Sequence, residues 1–168
     1  MKYKIAYIDE DRSWINIFYH VFKHDFEIIK IHVNSTTSIT TILDRLKEDS
    51  LHAIVTDYLL VESGEVEFNG NIIVEEVRRA RPHFPIVMLT SHASQAISHT
   101  DDVHIIYSKD ILSADNDRGK EELEIFKAKI SSNISNYYRK IEDTNNKIEE
   151  FVEKRNSVGL EPSEEEDL

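Results

Sequence analysis

Four groups of side chains carry the chemistry of a reaction centre: the acidic run Asp9-Glu10-Asp11, the isolated Asp57, the hydroxyl pair Thr90-Ser91, and Lys109. Each follows a short apolar run, respectively Ile5-Ala6-Tyr7-Ile8, Ala53-Ile54-Val55, Pro85-Ile86-Val87-Met88-Leu89 and residues 103–107. Carboxylates crowded into a small space repel one another, and a hard divalent cation bound through oxygen relieves that repulsion. A lysine and a hydroxyl beside them suit the negative charge of a transferring phosphoryl group. Taken singly, each has a plainer use. The acidic run can cap a helix, Asp57 can sit in a turn, Thr90 can be a strand-edge hydroxyl, and Lys109 can be a solvated charge. Only their joint placement at strand ends argues for a site.

The elements that must position them are legible from hydrophobic periodicity. Short apolar runs alternate with amphipathic segments, the mark of an α/β domain with a parallel sheet. After the first strand, Trp14, Ile17, Phe18, Val21 and Phe22 recur at helical spacing and predict one buried helix face. A second strand is expected at 27–33. Residues 34–37 (Asn-Ser-Thr-Thr) offer caps for a helix that buries Ile39, Ile42, Leu43 and Leu46. The third strand ends at Thr56-Asp57, and the polar segment VESGEVEFNG reads as a loop. A helix burying Ile73, Val74 and Val77 then runs up to Pro82. The fourth strand (85–90), a weak helix near Ala93–Ser98 and a fifth strand (103–107) complete the pattern. The predicted fold class is a doubly wound, five-stranded parallel sheet of flavodoxin-like topology, in which ligands sit outside the carboxyl ends of the strands.

From Arg118 to Arg155 there is no strand signal, and neither Pro nor Gly occurs between Gly119 and Gly159. Ile134, Ile141 and Ile148 fall at heptad position a, with Ile130, Tyr137, Thr144 and Phe151 at d. A helix of ~38 residues at 1.5 Å each would reach roughly 57 Å. The expected division is therefore a first domain over 1–117, an extended helix and possible coiled coil over 118–156, and an acidic disordered tail over 157–168. The stripe suits homodimerisation or docking on a helix of another protein.

Composition narrows the function classes. The 168 residues carry 20 Lys+Arg against 32 Asp+Glu, a net charge of −12. That balance repels a phosphate backbone, and no basic or helix-turn-helix pattern offsets it, so no nucleic-acid partner is expected. No stretch approaches the roughly 20 apolar residues of a membrane span, and the quickly acidic start does not read as a signal peptide. With no cysteine there can be no disulfide or thiolate site, and a cytoplasmic location is expected. The eight His show no tight pair at ligand spacing, which argues against a dedicated transition-metal centre.

From about Lys4 to Leu112 the chain resembles the receiver domains of two-component signalling. The resemblance rests on IDED (Asp9, Glu10), VTDYLL (Asp57), VMLTSH (Thr90) and YSKD (Lys109). It implies that Asp57 accepts a phosphoryl group from a histidine kinase or phosphotransfer protein. It also implies Mg²⁺ held by Asp9, Glu10, Asp57 and the backbone carbonyl of Leu59, with Lys109 and Thr90 on the phosphoryl oxygens. Chemically this is coherent, because a carboxylate is a weak nucleophile and needs positioning and charge neutralisation. Output through contact with a downstream protein, not DNA binding, follows from the charge balance. Beyond catalysing its own phosphorylation and dephosphorylation, no enzymatic activity is expected.

The chain also departs from the receiver pattern. Ile106 stands where receivers commonly carry an aromatic switch residue, and Tyr107 falls, by strand alternation, on the opposite face. Asp110 replaces the proline that commonly follows the lysine, so no cis peptide is expected there. The loop between Asp57 and Gly70 is longer than usual in this family, and its Val61 to Asn69 stretch carries Glu62, Glu65 and Glu67. Leu59 and His92 occupy the positions that tune dephosphorylation in this family; an apolar Leu59 cannot orient an attacking water, and His92 could. Two further readings stand beside the leading one. A non-switching pseudo-receiver scaffold or dimerisation module is favoured by Ile106 and Asp110. A Mg²⁺-dependent phosphotransferase or phosphatase is disfavoured, since no second Asp follows two residues after Asp57.

Overall fold

Strand β1 (Lys4–Asp9) opens a computed structural model that describes residues 2–113 and 115–157. It is followed by α1 (Arg12–Phe22), β2 (Glu27–His32), α2 (Ile39–Glu48), β3 (Ala53–Thr56), α3 (Gly70–Ala80), β4 (Ile86–Thr90), α4 (Ala93–Ser98), β5 (Ile106–Ser108) and α5 (Asp117–Ser157). The five strands form one parallel sheet in the order β2-β1-β3-β4-β5. This is the doubly wound α/β architecture expected from the sequence. Strands β1, β3 and β4 are neighbours, so their carboxyl ends meet at the middle of one sheet edge.

Alternation along each strand divides the core in two. Ile5, Tyr7, Ala53, Val55, Val87 and Leu89 face α1 and the beginning of α5, where Phe18, Phe22, Phe126, Ile130 and Ile134 are buried. The rings stack as a ladder: Tyr7 on Phe18 at 4.1 Å, Phe18 on Phe22 at 4.2 Å, then Phe126 edge-on to Phe22 at 6.0 Å and to Tyr107 at 4.8 Å. Ala6, Ile8, Ile54 and Met88 point the other way, and the buried residues of α2 (Ile42, Leu46), α3 (Ile73, Val77) and α4 (Ala96) cover that face.

Several boundaries differ from the sequence reading, each for a local reason. The buried face of α1 is Ile15, Phe18 and Phe22, while Ile17 is exposed. Asp11 caps the helix by accepting the Ser13 N–H at 2.7 Å, and Phe18 stacks on Tyr7; together these set the helix phase. Helix α2 is capped by Ser38 in a capping box with Thr41, whereas Asn34 closes a separate turn onto Thr36. The fifth strand is shorter than expected. Asp102 accepts the His104 N–H and holds residues 103–105 in a 3₁₀ turn, so pairing with β4 spans only Ile106–Ser108. Part of the VESGEVEFNG segment is also ordered, as a 3₁₀ turn over Val61–Ser63 closed by Gly64 at φ +72°.

The chain forms two compact units, the first of which reaches Ile134 and takes in the start of α5. Phe126, Ile130 and Ile134 are fully buried in the first unit, so the first part of α5 belongs to it. Ile134, expected in the heptad seam, is a core residue. The second unit begins at Ser135; its described part is the remainder of α5, where Ile141 and Ile148 are 39% and 43% exposed. The expected acidic tail falls, from residue 158 on, outside the described residues. Among the described residues no helix is long and apolar enough to cross a membrane, and no peptide bond is cis, including the one preceding Asp110.

Candidate functional site

Asp9 ends β1, Glu10 follows it, Asp57 follows β3, Thr90 ends β4, and Lys109 follows β5 in a 3₁₀ turn. The parallel register sets Ile8 beside Thr56, Thr56 beside Met88, and Thr90 beside Ser108, which brings these residues to one edge. Asp9, Asp57, Thr90 and Lys109 are all buried, between 0% and 3% exposed. One carboxylate oxygen from each of Asp9, Glu10 and Asp57 lies within 4.8 Å of the others. Of the acidic run, Asp11 alone stands apart, serving as the α1 cap.

Lys109 is the counter-ion at the centre. Its Nζ lies 2.8 Å from Asp9 Oδ2 and 3.2 Å from Asp57 Oδ2. The Trp14 ring sits over the same ammonium, 5.0 Å from its centroid. Asp9 is further held by Tyr7, whose hydroxyl donates to Oδ2 at 2.6 Å, and by the Asp11 N–H on Oδ1 at 2.9 Å. By contrast, Asp57 Oδ1 and Glu10 Oε2 are buried with no hydrogen-bond partner. A buried, unsatisfied carboxylate oxygen is costly, and three carboxylates with ligand oxygens within 4.8 Å of one another, two of them carrying such an oxygen, form a donor set that a hard divalent cation completes. The residues present therefore fit Mg²⁺.

Protonation reflects the same crowding. Burial, with Asp9 and Asp57 adding to it, pushes the Glu10 carboxyl up to about 7. Burial also raises Asp57, against the opposing pull of Lys109 and the Thr90 hydroxyl. Burial together with the Asp9 charge raises the Tyr7 phenol, so Tyr7 remains a donor. One ammonium among three carboxylates leaves the cluster short of positive charge.

The surrounding backbone is arranged for close approach. Helix α3 begins at Gly70, whose N–H donates to the Tyr58 carbonyl at 2.8 Å. A Cβ at position 70 would fall inside the contact distance of the Asp57 carbonyl oxygen, so only glycine lets α3 start there. Thr56 donates its hydroxyl to that carbonyl at 2.9 Å. Asn69 Oδ1 accepts from Leu60 and Val61 N–H at 3.0 and 3.2 Å, which fastens both ends of the Glu-rich segment. Leu59 is half-buried at the start of this segment. His92 donates its N–H to Thr90 Oγ1 at 3.1 Å. Tyr107, paired with Leu89 in register, packs on Phe126 on the sheet face opposite Thr90.

Three contributors escaped the sequence reading. Tyr7 reads as a strand hydrophobe, although its spacing of two from Asp9 puts both on one sheet face. The stacking of Trp14 on Lys109 has no local signal, because it joins α1 to the far end of β5. Tyr58, next to Asp57, meets His99 at the end of α4, hydroxyl to Nδ1 at 3.1 Å, again a non-local pairing.

The sequence matches no protein-family model and no curated protein. The structure does match solved ones. It shares a TM-score of 0.55 at 14% identity with a CheY-like response regulator receiver domain from Methanospirillum hungatei, over 81% of this chain and 99% of that one. With the Salmonella typhimurium RcsB response regulator the TM-score is 0.53 at 17% identity, over 68% of this chain and 55% of that one. With an adenylate cyclase structure from Rhodopirellula baltica it is 0.54 at 20% identity, over 92% of this chain and 99% of that one. The chain thus spans about half of the RcsB response regulator and nearly all of the other two chains. The fold is that of a response-regulator receiver domain, with a long C-terminal helix.

Proposed function

We propose that this protein is a phosphorylatable receiver whose Asp57 accepts a phosphoryl group from a histidine kinase or phosphotransfer protein. One observation carries the reading: Asp57 Oδ1 and Glu10 Oε2 are buried without partners at the carboxyl edge of the sheet, where the other Asp57 oxygen lies 3.2 Å from the Lys109 ammonium. Asp9, Glu10, Asp57 and the Leu59 backbone carbonyl would hold Mg²⁺, which supplies charge neutralisation when bound. In the transfer, an Asp57 oxygen forms a bond to phosphorus as the P–N bond of a phosphohistidine breaks. Lys109 stays within reach of the phosphoryl oxygens, and the Thr90 hydroxyl turns toward them. The added charge of about −1.5 to −2 is the input to a change of surface. Output passes through protein contact in the cytoplasm, with the exposed part of α5 as one contact surface.

A specific observation favours a second reading, a scaffold that does not switch. Tyr107 is committed to the Phe126 side of the sheet, which leaves Thr90 without an aromatic relay on β5. Titration of the full chain with beryllofluoride and Mg²⁺, followed by Trp14 fluorescence, decides between them. Trp14 stands over Lys109 and is the only tryptophan in the sequence, so the signal has one source. A saturable change that Asp57→Asn abolishes supports the receiver; a flat wild-type response leaves the scaffold.

A further inference from the structure

The part of α5 beyond Ile134 carries a charge pattern that its apolar stripe alone does not explain. Lys140, Lys147 and Lys154 recur every seven residues, each directly before or close to the stripe residues Ile141, Ile148 and Phe151. In heptad terms they occupy every g position from 140 to 154, flanking the seam on one side. The other flank, e, is uncharged: Tyr138, Asn145 and Val152. The acidic residues Glu142, Asp143, Glu149 and Glu150 lie at b and c, turned away from the seam. Among the described residues, neither Lys140 nor Lys147 has a carboxylate within 4.0 Å. In a chain of net charge −12, a row of one basic residue type beside an exposed apolar stripe is a distinct surface.

A second copy does not complete this surface. Two such helices side by side in parallel set g against e, giving Lys140 opposite Asn145 and Lys147 opposite Val152, with no ion pair. Set antiparallel, they bring g against g, lysine against lysine. We infer that the stripe centred on Ile141 and Ile148 docks an amphipathic helix of another protein, one whose apolar seam is bordered by carboxylates facing Lys140 and Lys147. Thr144, in the middle of the seam, back-bonds its hydroxyl to the Lys140 carbonyl at 2.8 Å, so it enters the interface without an unsatisfied donor. This deepens the reading of output through protein contact, yet it does not depend on Asp57.

The test uses the unphosphorylated full chain, so an inert Asp57 leaves its result intact. Two three-heptad peptides with Leu at a and d are titrated by fluorescence anisotropy, one with Glu at e and g, the other with Lys there. The Glu peptide is expected to bind and the Lys peptide not. The double change Lys140→Glu and Lys147→Glu should weaken the Glu peptide by about tenfold, a 1.4 kcal/mol effect, and admit the Lys peptide. Unchanged helical circular dichroism confirms that these exposed substitutions leave the fold intact. Binding of neither peptide, or of both alike, overturns the inference. So does a concentration-dependent dimer of the chain alone that Ile141→Asp with Ile148→Asp dissolves, since a second copy would then be the occupant.

Discussion

Replacing Asp57 with asparagine should make the metal-free protein more stable, although it removes a partner of Lys109. At an effective dielectric constant of about 20, two unit charges no more than 4.8 Å apart repel by about 3.5 kcal/mol. Asp57 takes part in two such repulsions, with Asp9 and with Glu10. Against them stands its attraction to Lys109 across 3.2 Å, about 5 kcal/mol on the same scale. Neutralising Asp57 at a pH where Glu10 is charged therefore releases about 2 kcal/mol, and Lys109 keeps Asp9 at 2.8 Å. For a chain of this length that corresponds to a rise in Tm of about 4–8 °C. Differential scanning calorimetry near pH 8 in EDTA measures it directly. With Mg²⁺ at tenfold its dissociation constant, the wild type should gain about 1.4 kcal/mol and the variant much less. A Tm of Asp57→Asn in EDTA equal to or below that of wild type would refute the reasoning, because the cluster would then be balanced without a cation.

Removing the Tyr7 hydroxyl (Tyr7→Phe) deletes a buried bond to a charged acceptor and should destabilise the fold by about 1.5–3 kcal/mol in urea titration; an unchanged midpoint would show that Lys109 and Asp11 suffice for Asp9. Gly70→Ala drives a methyl into the Asp57 carbonyl. It should cost about 1–3 kcal/mol and weaken Mg²⁺-induced Trp14 fluorescence, so wild-type behaviour in both assays counts against the close approach. Glu10, raised from 4.5 to about 7, keeps its proton to a higher pH in the folded chain than in the unfolded one. The metal-free fold thus loses stability as pH climbs through that window, and Glu10→Gln does not share the loss. The melting temperatures of the two proteins should draw apart between about pH 4.5 and 8, the variant ending higher; a gap independent of pH would contradict the assignment.

The placement of Asp9, Glu10, Asp57, Thr90 and Lys109 was readable because each lies at the end of an apolar run, and strand polarity in a parallel sheet sends all such ends to one edge. What surrounds them was not. Tyr7 and Trp14 read as core residues, and their hydrogen-bonding and cation-binding roles depend on partners that only the folded chain supplies. On α1, Phe18 and Phe22 are buried and Trp14 and Val21 pack against the core as expected, but Ile15 is buried where Ile17 was expected, since either fits a helical period. Stacking of Phe18 on Tyr7 decides between them. Ile134 fits a heptad and a core helix equally, and periodicity cannot separate those uses.

The burial of Phe126, Ile130 and Ile134 has a consequence for the order in which the protein matures. The sheet face bearing Tyr7, Val55 and Leu89, and α1 that covers part of it, are synthesised well before the α5 residues that cover the rest. On the ribosome, the part of that face covered by Phe126, Ile130 and Ile134 remains wet until residue 134 has cleared the exit tunnel. At a synthesis rate of about 5–20 residues per second, the delay after β5 lasts a second or more, a window in which a chaperone has an apolar surface to hold. A nascent chain stalled near residue 117 should be captured by such a holder, and one stalled well past residue 134 released.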